Sequence, residues 1–264
     1  MPTALLLSKT RVSAETAVVH RSALNRNGLL SSLAGADIVR WMPHLEPFDM
    51  PLAAVLYESQ QVERYVYFPI NAIVSLLYVM KNGDSAEIAV VGNEGLVGIS
   101  LIMGGDSTPS RAVVQSAGKG FRVKAQFIKD EFEKSSAVSS LMLRYTQALI
   151  TQMSQTAVCN RHHSLDEQLC RWLLLSLDRL SGNELVMTQE LIANMLGVRR
   201  EGVTEAALKL QKAGLISYSR GRIRVLMREG VEKRSCECYA VVKNEYDRLL
   251  PRTPAQSTLS RRAL

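Results

Sequence analysis

The stretch MTQELIANMLGVRREGVTEAALKLQKAGLISYSRGRIRVL, residues 187–226, decides how the rest of the chain is read. Thr188 is a hydroxyl N-cap for a short first helix, and Ile192, Met195 and Leu196 give that helix an apolar face before Gly197 stops it. A second helix places Val203, Ala206, Ala207 and Leu210 at i, i+3, i+4 and i+7. That stripe packs inward, so Arg199, Arg200, Glu201, Thr204, Glu205 and Lys209 face away from the core. Gly214 ends the helix, and residues 215–217 and 222–226 read as two strands around a turn of Tyr218, Ser219, Arg220 and Gly221. The pattern is a winged helix-turn-helix.

An outward row of this kind suits a major groove, with donors near the helix N-terminus for base edges and flanking cations for phosphates. Two short helices joined at a glycine are common in all-α proteins and decide little alone. The charge distribution decides more. Arg199, Arg200, Lys209, Lys212, Arg220, Arg222, Arg224 and Arg228 lie in one unit against only Glu201, Glu205 and Glu229, whereas a solvated face mixes the signs more evenly. Arg220 and Arg222 at the wing are placed for phosphate.

The order G-V-R-R-E-G-V-T-E over residues 197–205, followed by A-A-L-K-L-Q-K-A-G-L-I and a basic hairpin, resembles the DNA-binding domain of the Crp/Fnr family of bacterial transcription regulators. The recognition helix of that family commonly opens S-R-E-T-V-x-R. The resemblance puts Arg200 and Glu201 on the family's base-reading Arg and Glu, with Arg199 in place of its Ser and Gly202 in place of its Thr. Glu205 stands where the second Arg belongs, a reversed charge, so the half-site of the best-known members does not transfer.

Composition allows this reading. The chain of 264 residues is 47% hydrophobic, enough for two cores, and its net charge of +7 favours polyanions. Four cysteines are few for this length, no stretch approaches the length of a membrane span, and no secretory signal is legible, so a cytoplasmic location is expected.

The resulting expectation is an α+β chain. Residues 1–40 form a leader, helical around residues 14–21, and a helical segment with Leu29, Leu30, Leu33, Ile38 and Trp41 inward; Pro43 and Pro47 close it. Residues 41–132 form a β-domain with strands at 53–57, 65–68, 73–79, 86–91, 112–115 and 120–123 and a hairpin at Asn82-Gly83. Residues 133–160 form a long helix, 161–250 the winged domain, and 251–264 a disordered basic tail. By resemblance the β-domain is a jelly-roll sensor of the cyclic-nucleotide-binding type and the long helix a dimerisation helix.

The glycines 92, 95, 98, 104 and 105 crowd the place of the family's effector pocket, and the pocket candidates are Glu94, Gly95, Gly98, Ile99 and Arg111. Cyclic-nucleotide binders carry a Glu after the glycine for the ribose and an Arg for the phosphate. In G-L-V-G-I-S-L-I-M the matching position is Ile99, so cyclic AMP is not expected to bind tightly, although Arg111 lies near the phosphate-binding place. Glu94 reads either as a ligand acceptor or as a tie to a backbone amide. The effector is not legible.

On the long helix, Val138, Met142, Tyr145, Leu149, Gln152, Thr156 and Cys159 recur at spacings of four and three. Such a stripe is either the helix's own core face or a dimer seam. The seam of a parallel homodimer is favoured here, with Gln152 and Thr156 setting register, because two-fold proteins read palindromic sites. Asn160 to His163 then form a hinge, and Ser164 and Glu167 a capping box that opens a helix ending at Gly182. Residues 231–250 read as one further helix.

No metal site is expected. Cys159, His162, His163 and Cys170 straddle the hinge, and Cys236-x-Cys238 lies far along the chain, unlike the settled ligand spacings of structural zinc. The cysteine cluster that holds an iron-sulfur centre in oxygen-sensing relatives is absent, as no Cys precedes Cys159. No catalytic residues are assigned: a cupin-like enzyme needs His and Glu ligands on its strands, and residues 50–128 contain no His. A ligand- or redox-sensing protein acting through protein contacts is the other alternative, but it leaves the basic recognition unit unexplained. The expected partners are double-stranded DNA at a palindromic site and a second copy of the chain, with RNA polymerase an additional candidate.

Overall fold

The computed structural model describes residues 21–250, so the leader at residues 1–20 and the tail at 251–264 lie outside the described residues. Three short helices open the chain: α1 (Arg21–Leu24), α2 (Gly28–Ser32) and α3 (Gly35–Trp41). Asn27 fixes them. Its Oδ1 accepts from the amides of Leu29 and Leu30 as the N-cap of α2, while its Nδ2 donates to the carbonyls of Pro69 and Gly95 in the β-domain. Leu29, Leu30, Leu33, Ile38 and Trp41 are all buried.

Seven strands follow: β1 (Glu46–Met50), β2 (Val55–Tyr57), β3 (Tyr65–Pro69), β4 (Ile73–Val79), β5 (Ser85–Val91), β6 (Arg111–Ser116) and β7 (Gly118–Lys124). They form two antiparallel sheets, ordered β1-β7-β3 and β2-β6-β4-β5. Strand β1 was not expected, because Pro47 was read as a terminator. Pro47 is exposed on a strand that pairs with β7 alone, a position where a missing N–H costs no ladder bond. Of the Asn82-Gly83 pair only Gly83 takes positive φ, at 91°.

Helix α4 (Ala125–Lys134) leads into α5 (Ser136–His162), 27 residues long, which runs through Asn160 to His162; the expected break falls only at the cap, His163. Helix α6 (Leu165–Leu177) opens on the Ser164–Glu167 capping box. Strand β8 (Glu184–Val186), α7 (Gln189–Leu196), α8 (Arg200–Lys212), β9 (Ile216–Ser219) and β10 (Arg222–Val225) complete the winged unit, with sheet order β8-β10-β9. The expected last helix is two, α9 (Arg228–Arg234) and α10 (Glu237–Leu249), separated at Ser235 and Cys236.

The expected dimer stripe of α5 is consumed inside the chain. Val138, Met142, Tyr145, Leu149, Gln152, Thr156 and Cys159 are buried, the helix packing against α4, β5 and α10. Tyr145 donates to the carbonyl of Leu96 at 2.7 Å, and Gly95 is glycine because a Cβ there would lie 2.4 Å from the Tyr145 ring. Gln152 accepts from Arg179 and Thr156 from Arg171, so the two polar residues meet the α6 segment rather than a partner copy. A flanking face of α5, about 100° round the helix, carries Leu143, Thr146, Ile150, Met153 and Ala157, again spaced three and four, with Leu143 59% and Ile150 53% exposed. Two registers of one helix thus satisfy the same apolar spacing, and burial in the chain distinguishes them.

The junction between the four-stranded sheet and α6 is polar. Ser75 donates to Gln115, which donates to Ser176, and Arg179 donates to Glu94 at 2.7 Å. Glu87 lies fully buried in this seam near Ser75, Arg171, Trp172 and Arg179, and burial pushes its carboxyl up to about 7 despite the two guanidinium groups. Its native state therefore holds a proton that the unfolded chain has released. Stability from this group is full below the ordinary Glu range near 4.5 and falls as pH rises to about 7. Glu87→Gln should accordingly leave stability at pH 5 nearly unchanged and raise it at pH 8 by at most roughly 3 kcal/mol. Urea unfolding at the two pH values checks this, and an equal effect at both would remove Glu87 as the source.

Candidate nucleic-acid interface

The recognition unit is held together by local chemistry that the sequence exposes. Thr188 accepts from the amide of Leu191 at the start of α7, and Gly197 closes that helix at φ 65°. Val203, Ala206, Ala207 and Leu210 bury the inner face of α8. Gly202 also faces inward, since a Cβ there would meet Leu165 of α6 at 2.8 Å. The family's Thr position thus lies against α6 in this chain, where a larger side chain requires the Leu165 side chain to move.

The eight expected contact residues stand in unequal states, and of them Arg200 and Arg220 line one common concavity. Arg199 caps α8, and Arg200 and Glu201 form its first turn, all exposed. Arg199, Arg200 and Arg220 form no ion pair among the described residues. Thr204 is half-buried and donates to Gln189 at 2.7 Å, so it fixes the angle between α7 and α8. Lys209 pairs with Asp166 at 3.4 Å and with Glu205 at 3.2 Å, and those carboxylates hold its ammonium above the usual lysine range.

The wing turn is tighter than expected, two residues rather than four. Arg220 and Gly221 both adopt left-handed backbone, φ 48° and 74°, which matches the twist of a hairpin and lifts the Arg220 side chain at the tip. Arg222 and Arg224 instead converge on Glu184 of β8, at 2.9 and 2.8 Å, and hold its carboxyl below the usual range. Two of the three wing cations are therefore already partnered. Between wing and helices lies a concavity lined by Thr188, Gln189, Arg200, Tyr218, Arg220 and Gly221, with the N-terminus of α7 at its edge. Arg200 and Arg220 bring two guanidinium groups to it and Glu190 one carboxylate. Leu208, missed because the reading followed charges, is 49% exposed on the outer face of α8, where an apolar side chain can meet a thymine methyl.

The pocket candidates are not brought into one open site. Glu94 accepts from the amide of Gly92 and from Arg179, so it closes a loop rather than awaiting a ligand. Gly95 accommodates Tyr145, Gly98 sits at φ 105° beside Glu63, and Ile99 is half-buried. Arg111 pairs with Glu58 at 3.1 Å. Glu63, which the sequence did not single out, is buried, accepts from Ser100 at 2.5 Å, and has its carboxyl pushed up by that burial.

The expectation of no metal site rests on the separation of the cysteines and histidines in sequence, and the fold removes that separation for four of them. The ligand atoms of Cys159, His163, Cys236 and Cys238 all lie within 4.8 Å of one another. Helix α10 packs along α5 and brings together residues 77 apart in sequence. The readable signals were a Cys and a His four apart on α5 and a Cys-x-Cys pair, neither of which predicts the other.

Among known proteins, the Crp-like helix-turn-helix domain family matches residues 167–234. No curated protein matches the chain. Three solved structures share its fold. A protein from Eubacterium rectale ATCC 33656, described as of the Crp/Fnr family, superposes with a TM-score of 0.63 at 19% identity, over 80% of this chain and 98% of its own. FixK2 from Bradyrhizobium japonicum gives 0.62 at 16%, over 73% and 98%. The c-di-GMP-responsive global regulator CLP of Xanthomonas campestris gives 0.57 at 15%, over 73% and 99%. No helix among the described residues is long and apolar enough to cross a membrane. The chain therefore carries a Crp-like helix-turn-helix domain at residues 167–234, on a fold that it shares with these solved Crp/Fnr-type structures.

Proposed function

We propose that the protein acts as a homodimer that reads a two-fold symmetric DNA site through paired α8 helices, rather than as an enzyme. The observation that carries this reading is the exposed group Arg199, Arg200 and Arg220, which forms no ion pair among the described residues and of which Arg200 and Arg220 line the mouth between α8 and the wing. In this arrangement Arg200 and Glu201 read base edges, Arg199 and Leu208 extend the contact, and Arg220 holds phosphate. Thr204, Glu205 and Lys209 tune the reading by setting the helix pose and local charge. Arg222 contributes less than Arg220, because Glu184 already neutralises it.

The dimer forms on the outer stripe of α5, Leu143 to Ala157, which presents the apolar residues its own chain leaves uncovered. An effector acting on the β-domain would work through loop 92–101, whose Glu94 holds Arg179 next to α6. RNA polymerase and a cytoplasmic setting belong to the same proposal. Selection from random duplex DNA followed by binding titrations tests it. Arg200→Ala should cost about 1–3 kcal/mol on the selected site and relax one base position, whereas Arg220→Ala should weaken all sequences and lower the salt slope by about one. Equal losses on every sequence for Arg200→Ala would remove its base-reading role, and failure to enrich any sequence would remove the whole reading.

A further inference from the structure

We propose that Cys159, His163, Cys236 and Cys238 form a zinc site that clips the end of α5 to the start of α10. The four residues supply three sulfurs and one nitrogen, a donor set that tetrahedral zinc takes up in structural sites. Cys159 Sγ lies 3.5 Å from Cys236 Sγ, and Cys238 Sγ lies 3.6 Å from His163 Nδ1. Zinc–sulfur bonds of about 2.3 Å in a tetrahedron put sulfurs about 3.8 Å apart, so these pairs already stand near ligand spacing. The widest separation within the group, 4.8 Å, closes by about 1 Å, within the reach of a rotamer adjustment.

The surroundings fit a metal better than a free-thiol function. The three sulfurs form a buried cluster of their own, apart from the main hydrophobic core. His163 directs Nδ1 at the sulfurs while its Nε2 lies 3.4 Å from Glu237, the carboxylate–imidazole arrangement that presents the other ring nitrogen to a metal. Buried Arg171 forms no ion pair among the described residues, and its positive charge is felt by Cys159 and Cys238. Zinc binding releases three protons, one from each thiol, and leaves a site of charge −1 beside Arg171.

The test is metal analysis of the full chain, purified with zinc present and thiols reduced. About one zinc per chain is expected, and cobalt in its place should show the visible bands of a tetrahedral thiolate site. Cys159→Ser and Cys236→Ser should each reduce zinc to below about one-tenth of that amount. Because both positions are buried, Glu237→Gln on the exposed side provides the folded control: zinc affinity, read by competition with a chromophoric chelator, should fall about tenfold while the circular dichroism is unchanged. Cys170→Ala, outside the group, should keep full stoichiometry. Wild-type chain that takes up less than about one-tenth of an equivalent of zinc overturns the proposal. So does recovery of iron with sulfide in place of zinc, or of a Cys159–Cys236 disulfide from anaerobic preparations.

Discussion

Arg179→Ala should destabilise the protein by about 3–5 kcal/mol, the largest effect expected of any single polar substitution in the chain. The Arg179 side chain is only 5% exposed and its guanidinium makes three bonds: to Glu94 at 2.7 Å, to the carbonyl of Leu175 at 2.6 Å and to Gln152 at 3.2 Å. It also lies over the Tyr246 ring, 5.8 Å from its centre. Removing it strands the Glu94 carboxylate, 15% exposed, with only the Gly92 amide as partner. The cost is that of an uncompensated buried charge more than of a lost attraction. Glu94→Gln combined with Arg179→Met, which removes both charges and keeps the bulk, should therefore recover most of the stability. Because this pair joins the β-domain loop to the segment after α6, Arg179→Ala should also separate unfolding into two transitions. Urea titration followed by fluorescence and by circular dichroism reads both quantities; a loss under 1 kcal/mol with coincident transitions would show that the pair is dispensable.

In the proposed dimer, Ile150→Asp should convert dimer to monomer and lower affinity for a symmetric site by about 100-fold or more, since each half-site is then bound alone. The residue is 53% exposed in the single chain, so the substitution spares the folded protomer while placing a charge in the centre of the outer α5 stripe. Leu143→Asp, one heptad earlier, should act in the same direction. Sedimentation at micromolar concentration separates this from a folding defect. A variant that remains dimeric and binds as wild type would move the interface off α5. Substitutions on the inner stripe behave differently: Tyr145→Ala should lower protomer stability by about 3–5 kcal/mol, because that ring fills the space against Gly95.

The parts legible from sequence are those whose structure is encoded locally. Thr188, Gly197, Gly214 and the Ser164–Glu167 box fix helix ends through their own backbone chemistry, and the winged unit follows within a residue or two. Pro47 misled because a proline signals a break in isolation and an edge position in a sheet, and only the sheet order tells which. The α5 seam failed for a related reason: periodicity reveals that a face is apolar but not whether its own chain or another covers it. The pairing of Glu94 with Arg179, 85 residues apart, and the meeting of Cys159 and His163 with Cys236 and Cys238 are properties of tertiary packing that no local pattern predicts. The outward row of α8 was legible as a row, but Glu184 beside Arg222 and Asp166 beside Lys209 change which of its cations remain available.

Helix α5 is held along its length: one stripe is sealed against its own chain, and its last turn lies at the thiol group. A member so constrained transmits a disturbance as a lever does, by tilting as a stiff whole. Its 27 residues extend about 40 Å at the rise of an α-helix. A tilt of about 5° at the β-domain end then displaces the far end by about 3.5 Å, close to the separation of successive base pairs. On the reading proposed above, one such step is enough to bring a recognition helix into or out of phase with its half-site, so no large movement is needed at the β-domain end.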